Sequence, residues 1–465
     1  MDKPIKLPLD LEQLKTEIEN DGLSVDLHAL EQLNLQFTEL KRALKQNEKE
    51  KSAAAKQLSK AKKAEKPIDE FKAQLNTLSA QIKEQKKQLN QLNASANDLL
   101  APSNEPLVAL HFQPYACKTV EANYTIEMVD TRYQSAWNEF VDRHPGCSVY
   151  HRYEFRSIIE RAFGHHCVYL AATTEQGECL GVLPATQLNS KLFGNYLVSV
   201  PFFNYGGAIA VNESIEQALQ NALQEKAVQL EAEHVEYRDT KPRAGMPQKT
   251  DKNALVLALP KSADTLWEDI GTKVRAQIKK ADEHNLSFHT GKHELLDDYY
   301  KVFAQNMRDL GTPVYSKSFF KEILDHDQIQ STLIVVKKNQ TPVSCAFLIH
   351  YKDTMEIPWA STIQAANQYN ANMFMYWQIL RYAINQNAAI FDFGRSSVDA
   401  GTFKFKLQWG AKPVPLIWNY WLKDREELPE LNPNNPKYKL AISLWQKMPV
   451  WLTKLIGPHL VKNLP

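Results

Sequence analysis

The sequence predicts an α/β protein in which two similar mixed units follow one another behind a long N-terminal helical hairpin. Three observations carry this. Residues 1–104 lack Trp and Cys and place apolar residues at heptad spacing. From Tyr124 onward short β-type runs alternate with helical periodicity, and the same order begins again near Leu266. Toward the end, an apolar run from Ala388 to Phe391 opens into FDFGRSSVDAGTFKFKLQWG (391–410), a donor-rich stretch of the kind α/β proteins set against ligands.

Whole-chain balance narrows the classes. At 465 residues the length suggests two to four domains, and a net charge of +1 makes any nucleic-acid contact local. Five cysteines (Cys117, Cys147, Cys167, Cys179, Cys345) are scattered without C-x-x-C pairs. That pattern predicts reduced thiols in a cytoplasm and argues against a disulfide framework or a metal site. The N-terminus has no apolar h-region and no apolar run reaches membrane length, so the expectation is a soluble protein without stable membrane insertion.

Residues 1–104 form the predicted arm. Leu30, Phe37, Leu44 and Leu58 hold one core position of the heptad, and Leu33, Leu40, Ala54 and Ala61 the other. Pro67 interrupts; a second seam then runs through Ile68, Phe71, Leu75, Leu78, Ile82, Leu89, Leu92 and Leu99. Two such helices fold back most simply as an antiparallel coiled-coil hairpin projecting roughly 50–60 Å. Its distal half is basic: from Lys41 to Lys66 nine lysines and one arginine stand against three glutamates. That excess (Lys41, Arg42, Lys45, Lys49, Lys56, Lys60, Lys62, Lys63) suits phosphate contacts, whose affinity comes from counterion release. A solvated spacer or dimerisation element is the plainer alternative.

A proline-punctuated linker, 101–116, leads into the first unit, placed at 105–262. Predicted strands are 124–129, 166–172, 179–188, 196–200 and 235–238, with helices at 135–143, 154–162 and 215–233. PFFNYGG (201–207) is its most unusual piece: Asn204 and Tyr205 precede a glycine pair, Gly206 and Gly207, that permits close backbone approach to a ligand. The second unit, 263–425, opens with LWEDIGTKVRAQIKKADEHN, read as one helix bearing Lys273 and Arg275. Helices at 297–308, 317–325 and 372–386 and strands at 331–337, 343–351 and 355–358 follow. Beyond the strand ending at Phe391, a loop is expected to hold Arg395 and Ser396, and alternation turns Lys404 to solvent. The tail, 426–465, is amphipathic in short pieces; Trp445, Val450, Trp451 and Leu455 are expected to pack on the second unit rather than touch a membrane surface.

Two resemblances give these features a meaning. FDFGR followed by GTFKFKLQWGA resembles the end of the second acetyltransferase-like (GNAT) domain of FemAB-type aminoacyltransferases, with the Phe-Lys-x-x-aromatic-Gly pattern on Phe405, Lys406, Trp409 and Gly410. The wording from about Val120 onward, including KVRAQIKKA, FAQNMRDLGTPVY and PNNPKYKLAISLW, is closer still to the exosortase/PEP-CTERM-associated branch of that family. The run from LSVDLHALEQLNLQF through the lysine-rich tip to LNASANDLLAPSNEPL resembles the tRNA-binding coiled-coil arm of bacterial seryl-tRNA synthetase, without that enzyme's catalytic motifs.

The resemblances imply two tandem GNAT domains and transfer of an aminoacyl group, seryl by the arm's likeness, from tRNA to an amine acceptor. No cofactor or metal is called for. The donor is already activated, so the enzyme must align the amine, exclude water and stabilise the oxyanion. Lys406 is the implied oxyanion donor and Phe405 its wall. Asp392 is a proton acceptor, a partner of Arg395 or a strand-end cap. Arg395, Ser396, Asn204, Tyr205, Lys273, Arg275 and Trp409 are the expected substrate contacts. Partners would be tRNA, tRNA-Ser above all, and a small-molecule, peptide or glycan-precursor amine, with a homodimer compatible with the arm acting in trans. Two alternatives stay open: an acyl-CoA-dependent N-acyltransferase of cell-surface polysaccharide assembly, and a non-catalytic tRNA-binding protein.

Overall fold

In the computed structural model of the chain, residues 1–104 form one unit and everything from Glu105 a second. The structure describes residues 8, 27–63, 68–100, 123–398, 400–424, 427–429 and 436–464, with backbone alone at 27–30, 59–60, 62–63, 90, 93–100 and 436–440. The side chains of Leu30, Lys60, Lys62, Lys63 and Leu99, the 101–116 linker, and Pro67, Cys117 and Asp399 therefore lie outside the described residues.

The first unit contains helices α1 (Leu27–Lys63) and α2 (Asp69–Leu100), which pack on one another. Phe37, Ala54 and Ala61 of α1 and Leu78, Ile82 and Leu89 of α2 are buried, all at the heptad positions. At one such position Asn47 donates to Gln85 (3.0 Å), and beside it Lys86 pairs with Glu48 (2.9 Å). A polar pair inside an apolar seam holds register, because slippage would leave both amides unpaired. Lys41, Arg42, Lys45, Lys49 and Lys56 are exposed.

The second unit is built on two mixed sheets. In chain order it begins with β1 (Tyr124–Met128), α3 (Gln134–Arg143), α4 (Glu154–Phe163), β2 (His166–Thr174), β3 (Cys179–Ser190) and β4 (Gly194–Val198). Then come β5 (Ile209–Ala210), α5 (Glu213–Gln229), β6 (His234–Tyr237), β7 (Gln248–Lys249) and β8 (Lys252–Ala258). Next are α6 (Ala263–Asp269), α7 (Thr272–Asp282), β9 (Leu286–Gly291), α8 (Leu296–Leu310), α9 (Lys317–Leu324), β10 (Gln330–Lys338) and β11 (Thr341–Tyr351). The last stretch holds β12 (Thr354–Thr362), α10 (Ala371–Asn385), β13 (Ile390–Ser397), α11 (Gly401–Leu407), β14 (Lys412–Pro415), β15 (Trp418–Leu422), α12 (Pro436–Lys447) and α13 (Val450–Val461).

The sheets repeat one another. Strand order β1-β2-β3-β4-β6-β15-β7 in the first corresponds to β9-β10-β11-β12-β13-β8-β14 in the second. Each holds a parallel pair, β4–β6 and β12–β13. They also exchange a strand: β8, inside the expected 105–262, completes the second sheet, and β15, inside the expected 263–425, completes the first. Each half therefore needs the other to finish its hydrogen bonding. One face of the second sheet packs under α6, α7 and α10; its other face shares a core with the first half through Phe202, Phe203, Tyr299, Phe319 and Phe347.

Three local expectations are corrected. The single helix expected from Leu266 to Asn285 is two, α6 and α7, because Ile270 is extended (φ −70°, ψ 140°) and Gly271 starts the second. Arg395, Ser396 and Ser397 lie in strand β13 and not in a loop, since the strand continues past a bulge between Asp392 and Arg395. Phe403 to Lys406 is helical, so strand alternation does not apply, although Lys404 is exposed all the same. In the tail Trp445 is buried and Val450 half-buried as expected, whereas Trp451 and Leu455 face outward.

Candidate active site

Where β4 ends, PFFNYGG is buried between the halves. Phe202 adopts φ 74°, a left-handed conformation costly for a bulky residue, held by ring contacts to Phe163 (4.4 Å) and Tyr315 (5.7 Å). The strained turn sends the Asn204 and Tyr205 side chains across to the second sheet. Tyr205 donates to Asp392 Oδ2 (2.5 Å), and Asn204 Nδ2 approaches Glu356 Oε1 at 3.4 Å. Tyr150, ahead of α4, donates to Glu356 Oε2 (2.8 Å). Glu356 and Asp392 are register partners in the parallel β12–β13 pair, so two carboxyl groups stand side by side out of water. Burial, and then the Asp392 charge, hold the Glu356 carboxyl well above the usual carboxylate range.

The bulge in β13 explains how this strand serves the site twice. In a regular strand Asp392 and Arg395 would point to opposite faces. One extra residue at Gly394 (φ 71°) turns both toward the first half, and the Gly394 amide donates to Asp392 Oδ1 (2.7 Å). Lys406 closes the arrangement from α11: its ammonium donates to the carbonyls of Gly394 and Arg395, both at 3.0 Å. Burial lowers its pKa to about 8, against the opposing pull of Asp392 and Glu356. Lys406 thus fastens the bulge and balances the carboxyl pair.

Glu356 lies on the wall of a cavity of about 440 Å³ between the halves, with Tyr205, His151, Arg238, Tyr351 and Lys352. On the neighbouring stretch of β13, Arg395 is half-buried and its guanidinium stacks on Trp418 (4.9 Å), which also carries Arg238 (4.4 Å). Arg238 is anchored by Glu236 (2.8 Å) and by the Phe203 carbonyl, whereas Arg395 has no carboxylate partner among the described residues. Burial and then the Arg238 charge lower the Arg395 pKa to about 10. Arg238 Nη2 and Trp418 Nε1 are buried without acceptors among the described residues, so two donors of this corner are not spent on protein. The corner suits an oxyanion.

Asn204, Tyr205, Asp392, Arg395 and Lys406 are therefore brought together, while other expected contacts are not. Phe405 packs edge-on to Tyr376 (4.9 Å) and Trp409 is buried beside it, both on the far face of the second sheet, because α11 is a helix and places Lys406 and Phe405 on different sides. Lys273 is exposed on α7, over that same far face, and Arg275 donates to the Trp267 carbonyl (3.1 Å) at the end of α6. The Ser396 hydroxyl is buried without a partner among the described residues. Gly206 and Gly207 make room for protein as well as for any ligand: a Cβ at Gly207 would meet Asp239 Oδ1 at 1.7 Å, and Asp239 holds Arg243 (3.0 Å) and Asn419 (2.8 Å). Gly207→Ala is expected to destabilise the second unit by about 3 kcal/mol, the upper range for overpacking, read as a lower denaturant midpoint.

Sequence reasoning missed Glu356, Tyr150, Arg238 and Trp418. A signal existed for two of them. Glu356 is the single charge in an otherwise apolar strand run, MEIPWA, and Glu236-Tyr-Arg238, at the end of β6 and just past it, mirrors Asp392 and Arg395 in the corresponding strand β13.

Comparison with known proteins agrees with this architecture. Residues 271–407 match the family described as acetyltransferase (GNAT) domain. Among solved structures the chain is similar to FemX, at 14% identity and a TM-score of 0.50, covering 63% of this chain and 96% of FemX. L-PGS from Bacillus licheniformis aligns at 12% identity over 71% of this chain and 98% of its own, TM-score 0.44. A tandem GNAT protein from the clavulanic acid biosynthesis pathway aligns at 11% over 65% and 98%, TM-score 0.43. At such identities the likeness to FemX is one of fold. No curated protein matches the sequence.

Proposed function

We propose that this protein is an aminoacyl-tRNA-dependent N-aminoacyltransferase of the FemAB type, which moves an aminoacyl group, seryl by the wording of the arm, from tRNA to an amine acceptor. The observation that carries the transfer chemistry is the Glu356–Asp392 pair, one member of which faces the cavity between the halves. The acceptor enters as an ammonium ion and must lose a proton before its nitrogen can attack the ester carbonyl. Glu356, its basicity raised by burial and by Asp392, takes that proton. As the new C–N bond forms and the ester C–O bond breaks, the second proton shed by the attacking nitrogen passes to the departing tRNA 3′ oxygen. Lys406 and Tyr205 hold Asp392 and the bulge in place, and Arg395 with Arg238 grips an anionic group of a substrate.

For the donor, the support lies in the first unit. As an antiparallel coiled coil, α1 and α2 would be an arm about 55 Å long, at 37 residues in α1, with Lys41, Arg42, Lys45, Lys49 and Lys56 free for phosphates. The acceptor is an amine of a small molecule, a peptide or a glycan precursor. The GNAT match over 271–407 favours a second reading, acyl transfer from a CoA thioester.

One experiment separates them. The protein is incubated with radiolabelled seryl-tRNA, candidate amines and excess acetyl-CoA. Label passing to an amine irrespective of acetyl-CoA, and lost when Lys45 and Lys49 are changed to Glu, is the expected result. Acetyl transfer to an amine with seryl-tRNA untouched would transfer the assignment to the CoA-dependent reading.

A further inference from the structure

The C-terminal residues carry charge and apolar surface that transfer chemistry does not use. From Pro436 to Pro465 there are five lysines (Lys437, Lys439, Lys447, Lys454, Lys462) and no Asp or Glu. Helix α13 spends one face on packing: Thr453, Gly457 and Val461 are buried, and a Cβ at Gly457 would sit 2.9 Å from the Val314 backbone nitrogen. Its opposite face carries Trp451, 68% exposed, and Leu455, 63% exposed, one turn apart, with Lys454 exposed beside them. The β3–β4 hairpin is tied to the residues that follow this helix. Tyr196 of β4 donates to the Asn463 carbonyl (3.0 Å), and the tip of the β3–β4 hairpin presents exposed Lys191 and Leu192, the latter 73% exposed.

A single exposed leucine needs no explanation. A tryptophan one turn from a leucine, flanked by lysines and free of acids, has the make-up of a helix that lies in a lipid headgroup region. We propose that α13, with the β3–β4 tip, docks this protein on the surface of an anionic phospholipid bilayer. The 12 residues of α13 span only about 18 Å, so the helix lies along the surface and does not cross. No helix among the described residues is long and apolar enough to cross a membrane. Charge decides against a second copy of the chain as the occupant, since pairing this face with itself would set lysine against lysine. The whole chain carries only +1, so the attraction belongs to this surface rather than to global charge. This inference does not depend on the transfer reaction proposed above.

The test is cosedimentation of the full-length protein with vesicles of phosphatidylglycerol and phosphatidylcholine, or of phosphatidylcholine alone. The protein is expected to pellet with the anionic vesicles and to release as salt rises. Trp451→Ser with Leu455→Ser should lower the partition coefficient at least about tenfold, as the loss of two interfacial apolar anchors requires, at an unchanged thermal midpoint. The lysines of α1 could also attract anionic lipid. If the double variant pellets as well as the wild type, or if the wild type stays in the supernatant, the proposal is overturned.

Discussion

Replacing Lys406 by methionine is expected to cut turnover on the order of a hundredfold, within the range for loss of a preorganised charged donor, and to lower the stability of the second unit. The side chain is buried and its ammonium serves two carbonyls, those of Gly394 and Arg395, at 3.0 Å. Methionine fills the same volume but donates nothing. Each stranded carbonyl costs about 1–3 kcal/mol, part of which is offset by relief of the lysine's own burial, so about 2 kcal/mol net is expected. The sign of the pH dependence follows from the lowered pKa. Between about 8 and the ordinary 10.5 the folded wild type holds fewer protons at Lys406 than the unfolded chain, so its stability rises with pH across that window. The variant lacks this rise, and denaturant midpoints at both ends of the window measure it. The kinetics distinguish two roles. If the ammonium bonds directly to the reacting oxygen, its removal lowers the rate without moving the rising limb of the pH–rate profile. An ammonium that tunes the carboxyl pair would, once removed, shift the rising limb of the pH–rate profile to higher pH, because the nearby positive charge no longer favours ionisation. The geometry predicts the shift; near-normal turnover with an unmoved limb would remove Lys406 from the site.

The sequence made the architecture legible because hydrophobic period is a local signal. Heptads located α1 and α2, and alternation located most strands of both sheets within a few residues. The exchange of β8 and β15 was not legible, since nothing in Lys252–Ala258 or Trp418–Leu422 states which sheet edge it will meet. The site divides the same way. Asp392, Arg395 and Lys406 sit close together in sequence and were found together. Tyr150, Asn204, Tyr205 and Glu356 reach them over separations of up to about two hundred residues, and only the fold brings them into contact. Phe405 and Trp409 were misassigned for a different reason. A motif implies that its residues act together, but a helix distributes neighbours around its axis, and here Lys406 turns inward while Phe405 and Trp409 fill the far core. The bulge at Gly394 was the least visible feature and one of the most consequential, because a one-residue insertion decides which face every later side chain meets.

Glu356→Gln is expected to lower turnover by about a hundred- to ten-thousandfold, the usual contribution of a general base, with little change in KM. The substitution preserves shape and leaves an oxygen to accept from Tyr150, while the Asn204 amide can turn to pair with the new side chain. What it removes is the ability to take a proton. Stability should move the other way. Because burial and Asp392 raise the Glu356 pKa, the folded chain holds more protons there than the unfolded chain at pH values above about 4.5. Stability from this group is therefore lost as pH rises through that interval up to its folded pKa, and the penalty is fully present above it. Glutamine carries no such penalty, so at neutral and alkaline pH the variant should unfold at a denaturant midpoint equal to or above that of the wild type, with a flatter pH dependence. A catalytic collapse that coincided with unfolding would mean only a damaged site. Collapse in a protein at least as stable as the parent, with the rising limb of the pH–rate profile abolished, identifies Glu356 as the base. Retained turnover with the limb intact would mean that the proton leaves by another route and that the carboxyl pair only braces the contact between the two halves.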